Sequence, residues 1–103
     1  MRMMIKFSFP VEPGNDLVSS GKVGQVFKSI MDDLKPEAAY FFPEDGQRSG
    51  LLVVNRSDSS DIAKILEPFW FGLHANVTLT PVMNGEDLQK GLSDIGNIVK
   101  RYS

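Results

Sequence analysis

Apolar and polar residues alternate over residues 3–9, with Met3, Ile5, Phe7 and Phe9 on one parity and Met4, Lys6 and Ser8 on the other. Period two predicts a β-strand. Pro10 has no amide hydrogen to give to a ladder and is expected to end it. Residues 11–15 contain Pro13-Gly14-Asn15 and read as a turn. The period then changes. Val23, Val26, Phe27, Ile30, Met31 and Leu34 recur at three- and four-residue steps, so the spacing predicts one helix over residues 16–34, capped by Asn15 or Asp16. Gly21 and Gly24 each weaken its first half by about 1 kcal/mol relative to alanine, and Pro36 stops it.

Residues 38–43 and 50–55 read as two strands of a hairpin turning at Asp45-Gly46. Both are apolar on both parities: Tyr40 and Phe42 against Ala39 and Phe41, Leu51 and Val53 against Leu52 and Val54. A sheet with one wet face would alternate, so both faces of this one are expected to be covered. Residues 59–67 read as a helix that faces inward with Ile62, Ile65, Leu66 and Phe69, with Ser57 and Asp58 as cap candidates. Pro68 is expected to break it or start a fresh turn. Residues 75–82 alternate again as a fourth strand. Asn84 then caps a last helix, helped by Glu86 and Asp87 in its first turn. Leu88, Leu92, Ile95, Ile98, Val99 and Tyr102 form its stripe, and Lys100 and Arg101 suit its C-terminus.

The predicted order is β-α-β-β-α-β followed by a helix, an α+β class. This is the split β-α-β or ferredoxin-like arrangement, in which two helices cover one face of a four-stranded antiparallel sheet. No repeat or linker interrupts residues 1–103, which are expected to form one domain. The uncovered face would show Phe41 or its neighbours to water, an apolar patch too large for a comfortable monomer. The expectation is a homodimer packed through that sheet face with two-fold symmetry.

Composition narrows the function classes. The chain has 103 residues and 11.4 kDa, with 42% hydrophobic and 23% charged residues, a globular rather than a disordered balance. A chain of this mass folds to roughly 5,800 Å² of surface and buries about 65% of its extended area. The formal net charge is −2 and the pI about 5.3, with scattered lysines and arginines, so no nucleic-acid footprint is expected. There is no cysteine, which excludes disulfides, thiol catalysis and thiolate metal sites and is compatible with a cytoplasmic location. The apolar run Met3-Met4-Ile5 stops at Lys6, far short of a signal-peptide core or a membrane span.

The chain resembles the dimeric α+β barrel superfamily. The likeness covers nearly its whole length and rests on the element order and the hairpin over residues 38–55. It also rests on the ending Ala75-Asn76-Val77-Thr78-Leu79-Thr80-Pro81-Val82-Met83 and on a final helix opening Gly85-Glu86-Asp87-Leu88. Its nearest likeness is to small bacterial members, many of which have no known activity. The resemblance implies two ferredoxin-like sheets closing into a barrel and a ligand cleft between sheet and helices. The superfamily includes muconolactone isomerase-like enzymes, cofactor-free monooxygenases and haem proteins.

Five residues are candidates for a ligand site: Phe7, Tyr40, Trp70, His74 and Asn76. His74 is the only histidine and reads either as a general base or haem ligand or as a plain loop residue. One histidine supports neither a zinc site nor a histidine-based triad, so no metal is expected. Phe69, Trp70 and Phe71 cannot all face one way, and one of them is expected to face a pocket or partner. Tyr40, Trp70 and Asn76 supply the residue types that the superfamily's cofactor-free monooxygenases use. Ordinary core packing is the competing reading for each. Lys6 lies on the parity opposite Phe7 and Phe9, where a lysine near a barrel mouth needs a carboxylate or access to water. Glu44, Asp45, Arg48 and Arg56 are expected to cluster around the hairpin. No Walker loop, GxGxxG, HExxH or EF-hand pattern occurs. The function expected is cofactor-free binding of an apolar or aromatic small molecule, and the alternative is an isomerase or monooxygenase acting on a cyclic or aromatic substrate.

Overall fold

Strand β1 (Arg2–Phe9) realises the first alternation: Met3, Ile5, Phe7 and Phe9 are buried, and the residues between them are not. A computed structural model describes residues Met1–Ser103. It is α+β, with β2 (Ala38–Glu44), β3 (Gln47–Asn55) and β4 (Asn76–Pro81) completing an open four-stranded sheet of order β2-β3-β1-β4. All three pairings are antiparallel. The hairpin closes as read, through a two-residue turn in which Asp45 (φ 53°) and Gly46 (φ 74°) both take left-handed backbone, while Glu44 pairs with Gln47. Positive φ at both turn residues matches the twist of the flanking strands, which is why Asp-Gly serves there.

The register assigns each parity to a face. Met3, Ile5 and Phe7 stand beside Val54, Leu52 and Gly50 on one side and Pro81, Leu79 and Val77 on the other. Ala39 and Phe41 continue that face through their pairing with Leu52 and Gly50. It is the face that the helices cover, with Leu17, Ile30, Leu34, Ile65, Phe69 and Leu73 completing the buried core. The other face carries Met4, Lys6, Ser8, Tyr40, Phe42, Leu51 and Val53, none of them buried. Phe41 therefore lies on the helix-covered face rather than the uncovered one. Its ring sits at the rim, 61% exposed, because β2 is an edge strand that the helices do not fully overhang. Tyr40 and Phe42 are the aromatics of the open face.

The first helical region departs from expectation. It is two helices, α1 (Val11–Ser19) and α2 (Lys22–Leu34), separated at Gly21, whose φ of 75° ends α-helical propagation. The Pro13-Gly14 segment read as a turn lies inside the first turn of α1. Proline is tolerated there because its missing amide hydrogen would have no helical partner anyway. No side chain caps α1, and its N-cap position is Pro10 rather than Asn15 or Asp16. α2 ends at Lys35 (φ 46°) before Pro36, and Arg56 Nη2 donates to the Leu34 carbonyl at 2.8 Å. Arg56 thus sits at the far end of β3, away from the hairpin turn with which it was grouped.

α3 (Asp61–Glu67) buries Ile65 and leaves Ile62 exposed. Asp58 accepts from the Ser60 amide at 2.9 Å just ahead of it, and this bond holds the Asp58 carboxyl below its usual range. After α3, Pro68–Gly72 form one π-helical turn. A proline withholds an amide hydrogen, and a widened turn accommodates the mismatch. β4 is one residue shorter at each end than expected. Asn84 then caps α4 (Gly85–Gly91) with a full capping box: its side chain accepts from the Asp87 amide at 2.8 Å, and Asp87 accepts from the Asn84 amide at 3.1 Å. A 3₁₀ turn (Leu92–Asp94) joins α4 to α5 (Ile95–Tyr102). Neither α4 nor α5 buries a residue. The molecule is drawn out to 58 × 28 × 19 Å with a radius of gyration of 17.1 Å, against about 13 Å for a compact chain of this length. No helix is long and apolar enough to cross a membrane.

Candidate sheet–helix cleft

Phe9, Phe27 and Phe41 wall the largest concavity, and Phe7 packs against all three. Phe7 lies 5.7 Å from Phe9, 5.5 Å from Phe27, 6.3 Å from Phe41 and 5.3 Å from Phe69, centroid to centroid. Phe27 stands edge-on to both Phe9 (6.0 Å, 80°) and Phe41 (5.7 Å, 86°), the tilted geometry that ring quadrupoles favour. Between this cluster and the hairpin lies an open cleft of about 760 Å³. Phe9, Val11, Val23, Phe27 and Phe41 line its walls, and Asn15, Phe42, Pro43, Gln47, Arg48 and Ser49 close its end. Its volume is in the range of small-molecule sites.

Arg48 is the cleft's one cation. It is exposed, its Nη2 donates to Asn15 Oδ1 at 3.1 Å, and no carboxylate lies within ion-pair distance. Gly14 in α1 makes room for it: a Cβ there would stand 3.0 Å from Arg48 Nη1 and 3.4 Å from Phe9 Cβ. The guanidinium keeps free donors at the end of an apolar slot, where a planar fork suits a carboxylate or another flat anion.

A second concavity of about 400 Å³ lies on the open side of the sheet. Lys6 Nζ donates to Glu44 Oε1 at 2.6 Å, and Ser8, Gln47, Ser49, Trp70, Asn76 and Thr78 stand around the pair. The lysine has the carboxylate that its position called for. Both side chains remain about two-fifths exposed (40% and 38%), so water screens the pair and it contributes little to stability.

No family model matches this chain, and no curated protein matches it either.

Of the five candidate residues, Phe7, Trp70 and Asn76 border the smaller cavity together. Phe7 itself is buried as part of the core. Tyr40 stands on the open sheet face, 65% exposed. His74 lies elsewhere, beside Pro13, Asp16, Leu17, Ser20 and Lys22 in a shallow groove. Its left-handed backbone (φ 48°) ends the π turn, with its amide donating to the Trp70 carbonyl at 3.1 Å and the Ala75 amide to the Phe69 carbonyl at 3.1 Å. The local task of His74 is to reverse the chain into β4. Phe69 fills the core while Trp70 and Phe71 face outward, the division that their succession required. No three histidine or carboxylate side chains converge where a metal ion could be held.

Phe9 and Phe27 carry no sequence signal for a site, and Arg48 is expected only as one charge of the hairpin cluster. A signal for Arg48 exists in the chain: it shares parity with Gly50, Leu52 and Val54, so a charge occurs on the apolar face of β3.

Proposed function

We propose that this chain binds an apolar or aromatic small molecule bearing one anionic group, without a cofactor, in the cleft between the sheet and helices α1 and α2. The observation that carries this reading is the Phe9–Phe27–Phe41 wall ending at a guanidinium that has no acidic partner. The rings supply apolar contact, and Arg48 fixes the orientation of a carboxylate. The reading includes the ferredoxin-like fold and its dimeric barrel. The strand order β2-β3-β1-β4 supports the ferredoxin-like fold, and the incompletely buried Met4, Phe42, Leu51 and Val53 on the open face support a homodimer packed sheet against sheet. A cysteine-free chain fits the cytoplasm.

1-Naphthoate and 1-naphthalenemethanol, titrated by calorimetry or amide NMR, test the ligand class. Naphthoate is expected to shift amides of Val23, Phe27 and Arg48 and to bind about tenfold or more tightly than the alcohol, the scale of one charge-assisted hydrogen bond. Arg48→Gln is expected to erase that difference. Equal affinity of both compounds for the unmodified protein would refute the role of Arg48.

An alternative is an isomerase or cofactor-free oxygenase at the smaller cavity. It is supported by Lys6, Glu44, Asn76 and Trp70 lining one concavity, where a paired lysine and carboxylate can exchange a proton with a substrate.

A further inference from the structure

The C-terminal helical segment carries an apolar seam that nothing in its own chain covers. Leu88, Leu92, Ile95, Val99 and Tyr102 follow one another at steps of four, three, four and three along α4, the 3₁₀ turn and α5, a spacing like that of a coiled-coil seam. Each is between 46% and 76% exposed. Residues 85–102 span about 27 Å at helical rise and account for the elongated shape. A helical segment of this length, interrupted by the 3₁₀ turn Leu92–Asp94, bearing Gly91 and Gly96 and with no buried residue of its own, is not held by propensity alone. The Arg2–Asp87 ion pair ties its first turn to β1, and the capping box fixes where that turn begins.

We propose that this seam packs against the same helix of a second copy of the chain. Three observations favour a copy of itself. The chain exposes 7111 Å², about 1,300 Å² more than a compact monomer of its mass, and a standard interface takes roughly 800 Å² from each partner. The positions flanking the seam are Gln89, Gly91, Gly96 and Ile98. None is charged, so two copies meet without like-charge repulsion, and a Cβ at either glycine would meet open space, leaving the backbones free to approach. The charges Lys90, Asp94, Lys100 and Arg101 fall outside these positions. This contact is separate from the sheet-to-sheet dimer and does not rest on it.

Ile95 is the midpoint of the seam, so it meets its own counterpart in a parallel and in an antiparallel two-fold pair. The chain contains no cysteine, so a single introduced thiol reports the contact. Full-length Ile95→Cys is expected to form a disulfide-linked dimer under mild oxidation, whereas Asn97→Cys, on the opposite side of α5, does not. Ile95→Asp is expected to weaken self-association at least tenfold in sedimentation equilibrium over roughly 1–100 µM, the range in which modest interfaces dissociate, with the far-UV spectrum of the sheet domain retained. Equal cross-linking of both cysteine variants would overturn the proposal, as would an Ile95→Asp chain that associates like the unmodified one. Val53→Asp, on the open sheet face, separates the two contacts. If it alone dissociates the protein, the seam proposal fails and the barrel stands. If Ile95→Asp alone dissociates it, the barrel fails and the seam stands.

Discussion

Gly50→Ala places two effects in opposition, and the structure decides between them. Gly50 takes no positive φ, so alanine meets no backbone strain there and would gain roughly 0.5–1 kcal/mol over glycine in a strand interior. Against this, an added Cβ would lie 2.5 Å from Phe7 Cζ and 2.9 Å from the Tyr40 carbonyl oxygen. To restore ordinary contact near 3.5 Å, the Phe7 ring must retreat by about 1 Å. It cannot do so cheaply, because it is 1% exposed and wedged among Phe9, Phe27, Phe41 and Phe69. Overpacking of this kind costs about 1–3 kcal/mol, so the clash wins and the net loss is roughly 1–2 kcal/mol. At about 4–8 °C per kcal/mol for a domain of this size, Tm falls by roughly 4–16 °C. Thermal and urea unfolding measure it. The double variant Phe7→Leu/Gly50→Ala removes the ring atom in question, and its loss is expected to fall short of the sum of the singles by about 0.5 kcal/mol or more. A Gly50→Ala chain at least as stable as the original, or strictly additive singles, would refute the close approach.

The Asp87 carboxyl is held below its ordinary value first by the Asn84 amide and then by the Arg2 side chain, so its contribution to anchoring α4 is complete above the unfolded carboxylate value near 3.9 and is lost as pH falls through the lower folded value. Carboxyl NMR on acid titration is expected to show this, with Arg2→Met raising the Asp87 pKa only part-way because the capping amide remains; an Asp87 that titrates at or above the ordinary value refutes it. Val53→Asp puts an unpaired charge on the open face and is expected to break the proposed sheet-to-sheet contact and lower the sedimented mass, an unchanged mass counting against that contact. Phe69→Ala empties a site with no exposure beside the Phe7 ring and is expected to cost about 3–5 kcal/mol by urea unfolding, a loss under 1 kcal/mol being inconsistent with its burial.

Periodicity alone determined most of the elements. The alternation of β1, the Asp45-Gly46 turn, the stripe of α2 and the Asn84–Asp87 capping box all rest on interactions between residues a few positions apart, and local spacing encodes those fully. The split between α1 and α2 was half-legible: Gly21 signalled weakness, but whether glycine bends a helix or ends it depends on what packs on either side. The assignment of Phe41 to the helix face and of Tyr40 to the open one was hidden, because both parities of β2 are apolar and only pairing with Gly50 and Leu51 fixes which side meets α2. The cleft was hidden for a related reason. Phe9, Phe27 and Arg48 come from three elements distant in the chain, and no spacing rule joins them. His74 stood out as the only histidine, yet chemistry-bearing residue types mark a site only when the fold makes them converge, and the tertiary structure turns His74 to the other end of the π turn. The seam of α4 and α5 was written in the sequence as a stripe. That its own chain leaves it bare was decided in three dimensions, where neither α4 nor α5 buries a residue against the core.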